Sequence, residues 1–158
     1  MKPESLHDLF LEELRTLYHV ERQISRAWLK VMKSTSRPEL QNAFQEQLHQ
    51  TQEHAAILEQ IFGRLGMPPR GKRCQALGRF LEKGREVLKS KTQPYIRDAS
   101  LTAVAQKVEH YKMAGYGSAR IYSRLVGDEE SAVLLQQSLN DEENIGKNLT
   151  RIAGTISA

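Results

Sequence analysis

Along four stretches of this chain apolar residues recur at steps of three and four, the spacing that puts them on one side of an α-helix. In the first stretch Leu14, Leu17, Ile24, Trp28 and Val31 share a face, which predicts a helix from about Ser5 to Lys33. Ser5 followed by Asp8 supplies its S-x-x-D start signal. The second stretch carries Leu40, Phe44, Leu48, Thr51, Ala55, Leu58, Phe62 and Leu65 inward and predicts a helix from about Pro38 to Leu65. Pro38 suits a first-turn position, and Gly66-Met67-Pro68-Pro69 stops the helix. The third predicted helix runs from about Arg97 to Val126. Gly115 and Gly117 inside it weaken it, which points to close packing of another helix. The fourth runs from about Glu129 to Ala153, with Leu135, Leu139, Ile145, Leu149 and Ile152 on one face.

Residues 66 to 97 form a long connection between the two helix pairs. Its middle, from about Cys74 to Ser90, keeps helical spacing through Leu77, Leu81 and Leu88 and predicts a shorter helix. No stretch alternates as a strand does. The fold class expected is therefore all-α: a four-helix bundle with one long crossover that carries a short fifth helix, spanning residues 1 to 158 as one domain.

Three of the four apolar faces are interrupted by an acid. Glu21 sits in the first stripe and Glu142 in the fourth, and Glu109 lies on the side of Ala105, Met113 and Tyr116 in the third. A buried carboxylate is costly unless a positive charge answers it. Bundles with one crossover often meet that need with two metal ions, held by a Glu from each of two helices and Glu-x-x-His from each of the others. Glu21 and Glu109 fit the lone acids, and Glu142 fits the acid of the fourth helix. Ile145 and Gly146, which follow it, have no ligating side chain. In the second helix the literal Glu46-x-x-His49 falls on the polar face with Glu53 and Gln60 and is read as surface. His54 and Gln50, at the edge of the stripe, are the better candidates. The metal site expected is Glu21, Gln50, His54, Glu109 and Glu142, with iron or manganese as the hard ions such donors suit, and with peroxide reduction or metal oxidation as the chemistry. The alternative is an internal ion-pair network in which Lys112, one turn from Glu109, supplies the charge and no metal is held. His110 and Tyr111 are either donors that orient a carboxylate or packing residues; Tyr18, Tyr116 and Tyr122 are read as core.

Composition narrows the function classes. Charged residues are 27% and hydrophobic ones 39%, with a net charge of +4 and no dense basic block, so nucleic-acid binding is disfavoured. The basic group Arg70, Lys72 and Arg73 lies in the Gly/Pro-rich link and is read as solvated loop. No continuous apolar run suits a membrane span or a signal peptide. The single cysteine, Cys74, forms neither an internal disulfide nor a metal cluster. A reducing cytoplasm is the compartment expected.

Four segments together resemble a known family: LHDLFLEELRTLYHVERQ at the start, Q-T-x-E-H in the second helix, KRCQALGRFLEKG in the link and, most specifically, AQKVEHYKMAGYGSAR in the third helix. They look like the YciF-like family of ferritin-like proteins, over nearly the whole chain. That resemblance implies a ferritin-like bundle, a homodimer, a bacterial cytoplasm and an association with stress responses. Its inward acids match Glu21, Glu109 and Glu142, and its helix-two polar pair matches Gln50 and His54. The family commonly continues the third-helix motif as EHYE, where this chain has Lys112. An ammonium at that position would repel a cation or replace it.

Overall fold

The computed structural model describes residues 2–157. Five helices follow one another: α1 (Leu6–Ser34), α2 (Pro38–Arg64), α3 (Gln75–Lys89), α4 (Pro94–Leu125) and α5 (Glu129–Ala153). The Ser5 side chain caps α1 by accepting from the Asp8 amide, and Asp128 caps α5 by accepting from the Ser131 amide. The fourth helix begins at Pro94 rather than at Arg97. Proline lacks an amide hydrogen, and a helix's first turn leaves that donor unused anyway, so Pro94 starts the helix instead of belonging to the link.

The helices α1, α2, α5 and α4 form a ring in which each packs on the next, and α3 lies across α1 and α4 on the outside. The crossover is tied down on its way. The Lys72 amide donates to the Arg15 carbonyl, Lys72 pairs with Glu12, and Gly71 lies so close to α1 that a Cβ there would stand 2.9 Å from His19 Cβ. At the other end, the buried Asp98 accepts from both the amide and the hydroxyl of Ser36, fixing the α1–α2 turn against the start of α4. Among the described residues no helix is long and apolar enough to cross a membrane.

Of the two glycines that foretold close packing, only Gly115 answers. A Cβ at Gly115 would meet Leu17 Cδ2 at 2.8 Å and Glu13 Oε1 at 3.2 Å, whereas one at Gly117 would have open space. Gly115 is therefore where α4 approaches α1. Gly115→Leu is expected to lower stability by about 1–3 kcal/mol through overpacking, and Gly117→Ala to raise it slightly by helix propensity; urea unfolding of both variants separates the two effects.

The interior is two apolar clusters rather than one. The first holds Val20, Ile24, Trp28, Phe44, Val104, Val108, Ile145 and Leu149. The second holds Phe10, Leu14, Leu17, Leu58, Phe62, Tyr116 and Leu135. On every helix of the ring a buried polar residue separates the two: Glu21 on α1, Gln47, Thr51 and His54 on α2, Glu109 and Lys112 on α4, Ser138 and Glu142 on α5.

Candidate functional site

That polar layer is the candidate site. Each member reaches it by helical spacing. On α2 the inward series is Phe44, Gln47, Thr51, His54, Leu58 and Ile61, at steps of three and four. The series passes through Gln47, so Leu48, Ala55 and Leu65, expected inward, are only half-buried. On α4, Glu109, Lys112 and Tyr116 occupy successive turns of one face and are fully buried.

The geometry is centred on Lys112. Its Nζ lies 2.7 Å from Glu21 Oε1 and 2.5 Å from Glu142 Oε1, and all three side chains are closed to solvent. His54 stands beside them, with Nδ1 2.8 Å from Glu142 Oε1 and 3.5 Å from Glu21 Oε2. Its Nε2 lies 3.0 Å from Oδ2 of the half-exposed Asp141. Both ring nitrogens of His54 are thus within hydrogen-bond distance of carboxyl oxygens. Glu109 is set slightly apart: it accepts from Gln47 Nε2, and its other oxygen has no hydrogen-bond partner. Burial pushes the Glu109 carboxyl above the ordinary glutamate range; Lys112 and the Gln47 hydrogen bond pull it back, Glu21 pushes it further up, and His54 again lowers it. Tyr116 packs edge-on against His54 with ring centroids 5.7 Å apart. Burial, with Glu21 and Glu109 nearby, holds its phenol well above the usual range, so it stays neutral.

The chain supplies a cation of its own to the buried acids. Lys112 faces the carboxylates of Glu21 and Glu142, and burial favours the neutral form of Glu109. This arrangement predicts a pH dependence. The folded chain holds the Glu109 proton more tightly than the unfolded one, so this residue's contribution to stability falls as pH rises from about 4.5 through the raised folded value. Glu109→Gln keeps the Gln47 contact and removes that slope. It is expected to match the parent near pH 4.5 and to exceed it near pH 8, by about 1.4 kcal/mol for each unit of the shift; urea midpoints across that range test it.

The structure brings together Glu21, His54 and Glu142, whose ligating atoms lie within 4.8 Å of one another. Glu109 belongs to the same buried layer but is engaged by Gln47. Gln50 is not brought in. It lies one residue from Thr51, about 100° around the helix, and is half-buried, lining a surface groove with Asn144 and Ile145 of α5. Gln47 and Asp141 are the members that sequence reasoning missed. Glu46 and His49 are exposed, and His49 pairs with Glu53. His110 is exposed and bonds the Gln106 carbonyl of its own helix, while Tyr111 lies 2.8 Å from the half-buried Cys74 thiol; neither touches the carboxylates.

Residues 5–158 match the family described as a domain of unknown function, DUF892. The chain belongs to this family. It is 31% identical over 154 residues to Protein YciF of Escherichia coli (strain K12), covering 97% of this chain and 93% of that protein. The crystal structure of the E. coli stress protein YciF superposes with a TM-score of 0.91, covering 96% of each chain. YcfI from Rhodopseudomonas palustris, 28% identical, gives 0.90 over 98% of this chain and 96% of that one. A ferritin-like, diiron-carboxylate protein from Bacillus anthracis, 17% identical, gives 0.72 over 96% and 99% and shares the fold. The DUF892 chain is thus YciF-like with a ferritin-like bundle.

A ferritin-like bundle raises the question of a dinuclear metal centre, and the residues present do not fit one. Three ligating side chains converge, where two ions need about twice that number. Lys112 Nζ already lies against two of them, and both nitrogens of the third are within hydrogen-bond distance of carboxyl oxygens. A divalent ion about 4 Å from the ammonium would meet a repulsion of about 8 kcal/mol at an effective dielectric of about 20.

Proposed function

We propose that this chain serves in stress protection as a ferritin-like bundle that works without a resident metal, its core charge being supplied by Lys112. The observation that carries this reading is the Lys112 ammonium within 2.7 Å of both Glu21 and Glu142. The stress role rests on likeness to the E. coli stress protein. Function then lies with the surface and the rigidity of the bundle. The protein is proposed to act as a homodimer; Ile121 and Leu125 near the end of α4 and Val133 near the start of α5 offer exposed apolar side chains for a partner.

A second reading is favoured by the convergence of Glu21, His54 and Glu142 within 4.8 Å. One iron or manganese ion would bind there, with redox chemistry on peroxide or on the metal itself. It requires Lys112 to leave the carboxylates. Anaerobic dialysis against ferrous or manganous ion, followed by metal analysis, separates the two. The first reading predicts substoichiometric metal that Glu21→Ala leaves unchanged. Stoichiometric metal, abolished by Glu21→Ala, would establish the second.

A further inference from the structure

Outside the polar layer, a cavity of about 230 Å³ opens between α1, α3 and α4. Trp28, Val31, Leu81 and Val104 make its walls apolar. Arg26, Lys30 and Arg85 also line it, and no acidic residue does. All three cations are exposed, and none has a carboxylate within 4.0 Å among the described residues, although most charged side chains of the core region are paired. The Trp28 indole is 2% exposed, and its N–H is buried without an acceptor.

We propose that this cavity binds a free medium-chain alkanoate. The apolar walls take the hydrocarbon chain at about 0.8 kcal/mol for each buried methylene. The three cations face the carboxylate. The volume lies just below the range of about 300–1,000 Å³ typical for small-molecule pockets, which suits a single short chain rather than a nucleotide or a two-chain lipid. Arginine is weakly hydrated and presents a fork that matches a carboxylate.

Trp28 is the only tryptophan and reports on the cavity directly. Its emission is expected to change saturably with octanoate. Octan-1-ol has the chain without the charge and acetate the charge without the chain; both are expected to bind at least tenfold more weakly. Arg85→Glu, a surface change, is expected to weaken octanoate at least tenfold. Gly84 lines the cavity, and a Cβ there meets only Val104 Cγ1, at 3.8 Å, so Gly84→Leu fills the space and is expected to abolish binding without lowering the melting temperature. If Gly84→Leu does not fold, Arg85→Glu decides. Three results would overturn the proposal: no saturable change with octanoate, octan-1-ol binding as tightly as octanoate, or a folded Gly84→Leu that binds like the parent. Emission that responds to dilution of the protein and not to octanoate would assign the cavity to a second copy of the chain, which also overturns it.

Discussion

Lys112→Met is expected to destabilise the bundle by about 3–5 kcal/mol near neutral pH, the cost of breaking a buried ion pair from one side. Methionine keeps most of the volume, so the loss reports charge rather than a cavity. Without the ammonium, Glu21 and Glu142 stand fully buried with only His54 to answer them. In a chain of this size the loss corresponds to roughly 6–20 °C in melting temperature. The pH dependence has a definite sign. The stranded carboxylates bind protons more readily in the folded variant than in the unfolded one, so the variant regains stability relative to the parent as pH falls from about 7 to about 5. A loss below about 1 kcal/mol at neutral pH, within the range of a surface pair, would mean that Lys112 is not the charge that holds the layer together. Urea unfolding at several pH values measures both effects.

Lys112→Glu carries the larger change in behaviour. It replaces the internal cation with another acid beside Glu21, Glu109 and Glu142 and turns EHYK into EHYE. The variant is expected to be less stable than Lys112→Met without metal and to be rescued by manganous or ferrous ion. An ion that binds only the folded form stabilises it by about 2.7 kcal/mol at a hundredfold excess over Kd. The parent, with Lys112 in place, is expected to show no such shift. Thermal unfolding with and without the ion reads the difference. Rescue of the variant alone would identify Lys112 as the residue that decides between an internal and an external cation.

Much of this was legible in the chain itself, because periodicity and charge are both written there. Helix faces follow from apolar residues at three- and four-residue steps, so the bundle and its crossover helix could be read before any coordinates. Glu21, Glu109 and Glu142 stood out as single charges on otherwise apolar faces. The second helix was harder. Leu48 and Gln47 are neighbours that fit the spacing almost equally well, and an apolar residue is the natural choice for an inward position. The structure chooses Gln47, because a glutamine amide can answer Glu109 and a leucine cannot. The signal lay in the series Gln47, Thr51, His54, which carries three polar residues at inward steps. Gln50, at the edge of the stripe, lies one residue out of phase. Lys112 was visible as a neighbour of Glu109, but its partners, Glu21 on α1 and Glu142 on α5, depend on how far a long side chain crosses between helices, which spacing along one helix does not state. Pro94 misled for a similar reason: its ring excludes it from a helix interior yet suits the first turn.

Crystals grown with manganous ion, with diffraction data collected for anomalous scattering from manganese, test the central claim most directly. No anomalous peak is expected among Glu21, His54 and Glu142, and Lys112 Nζ is expected in density bridging the two carboxylates. A manganese peak there, with the Lys112 side chain swung out of the layer, would contradict it.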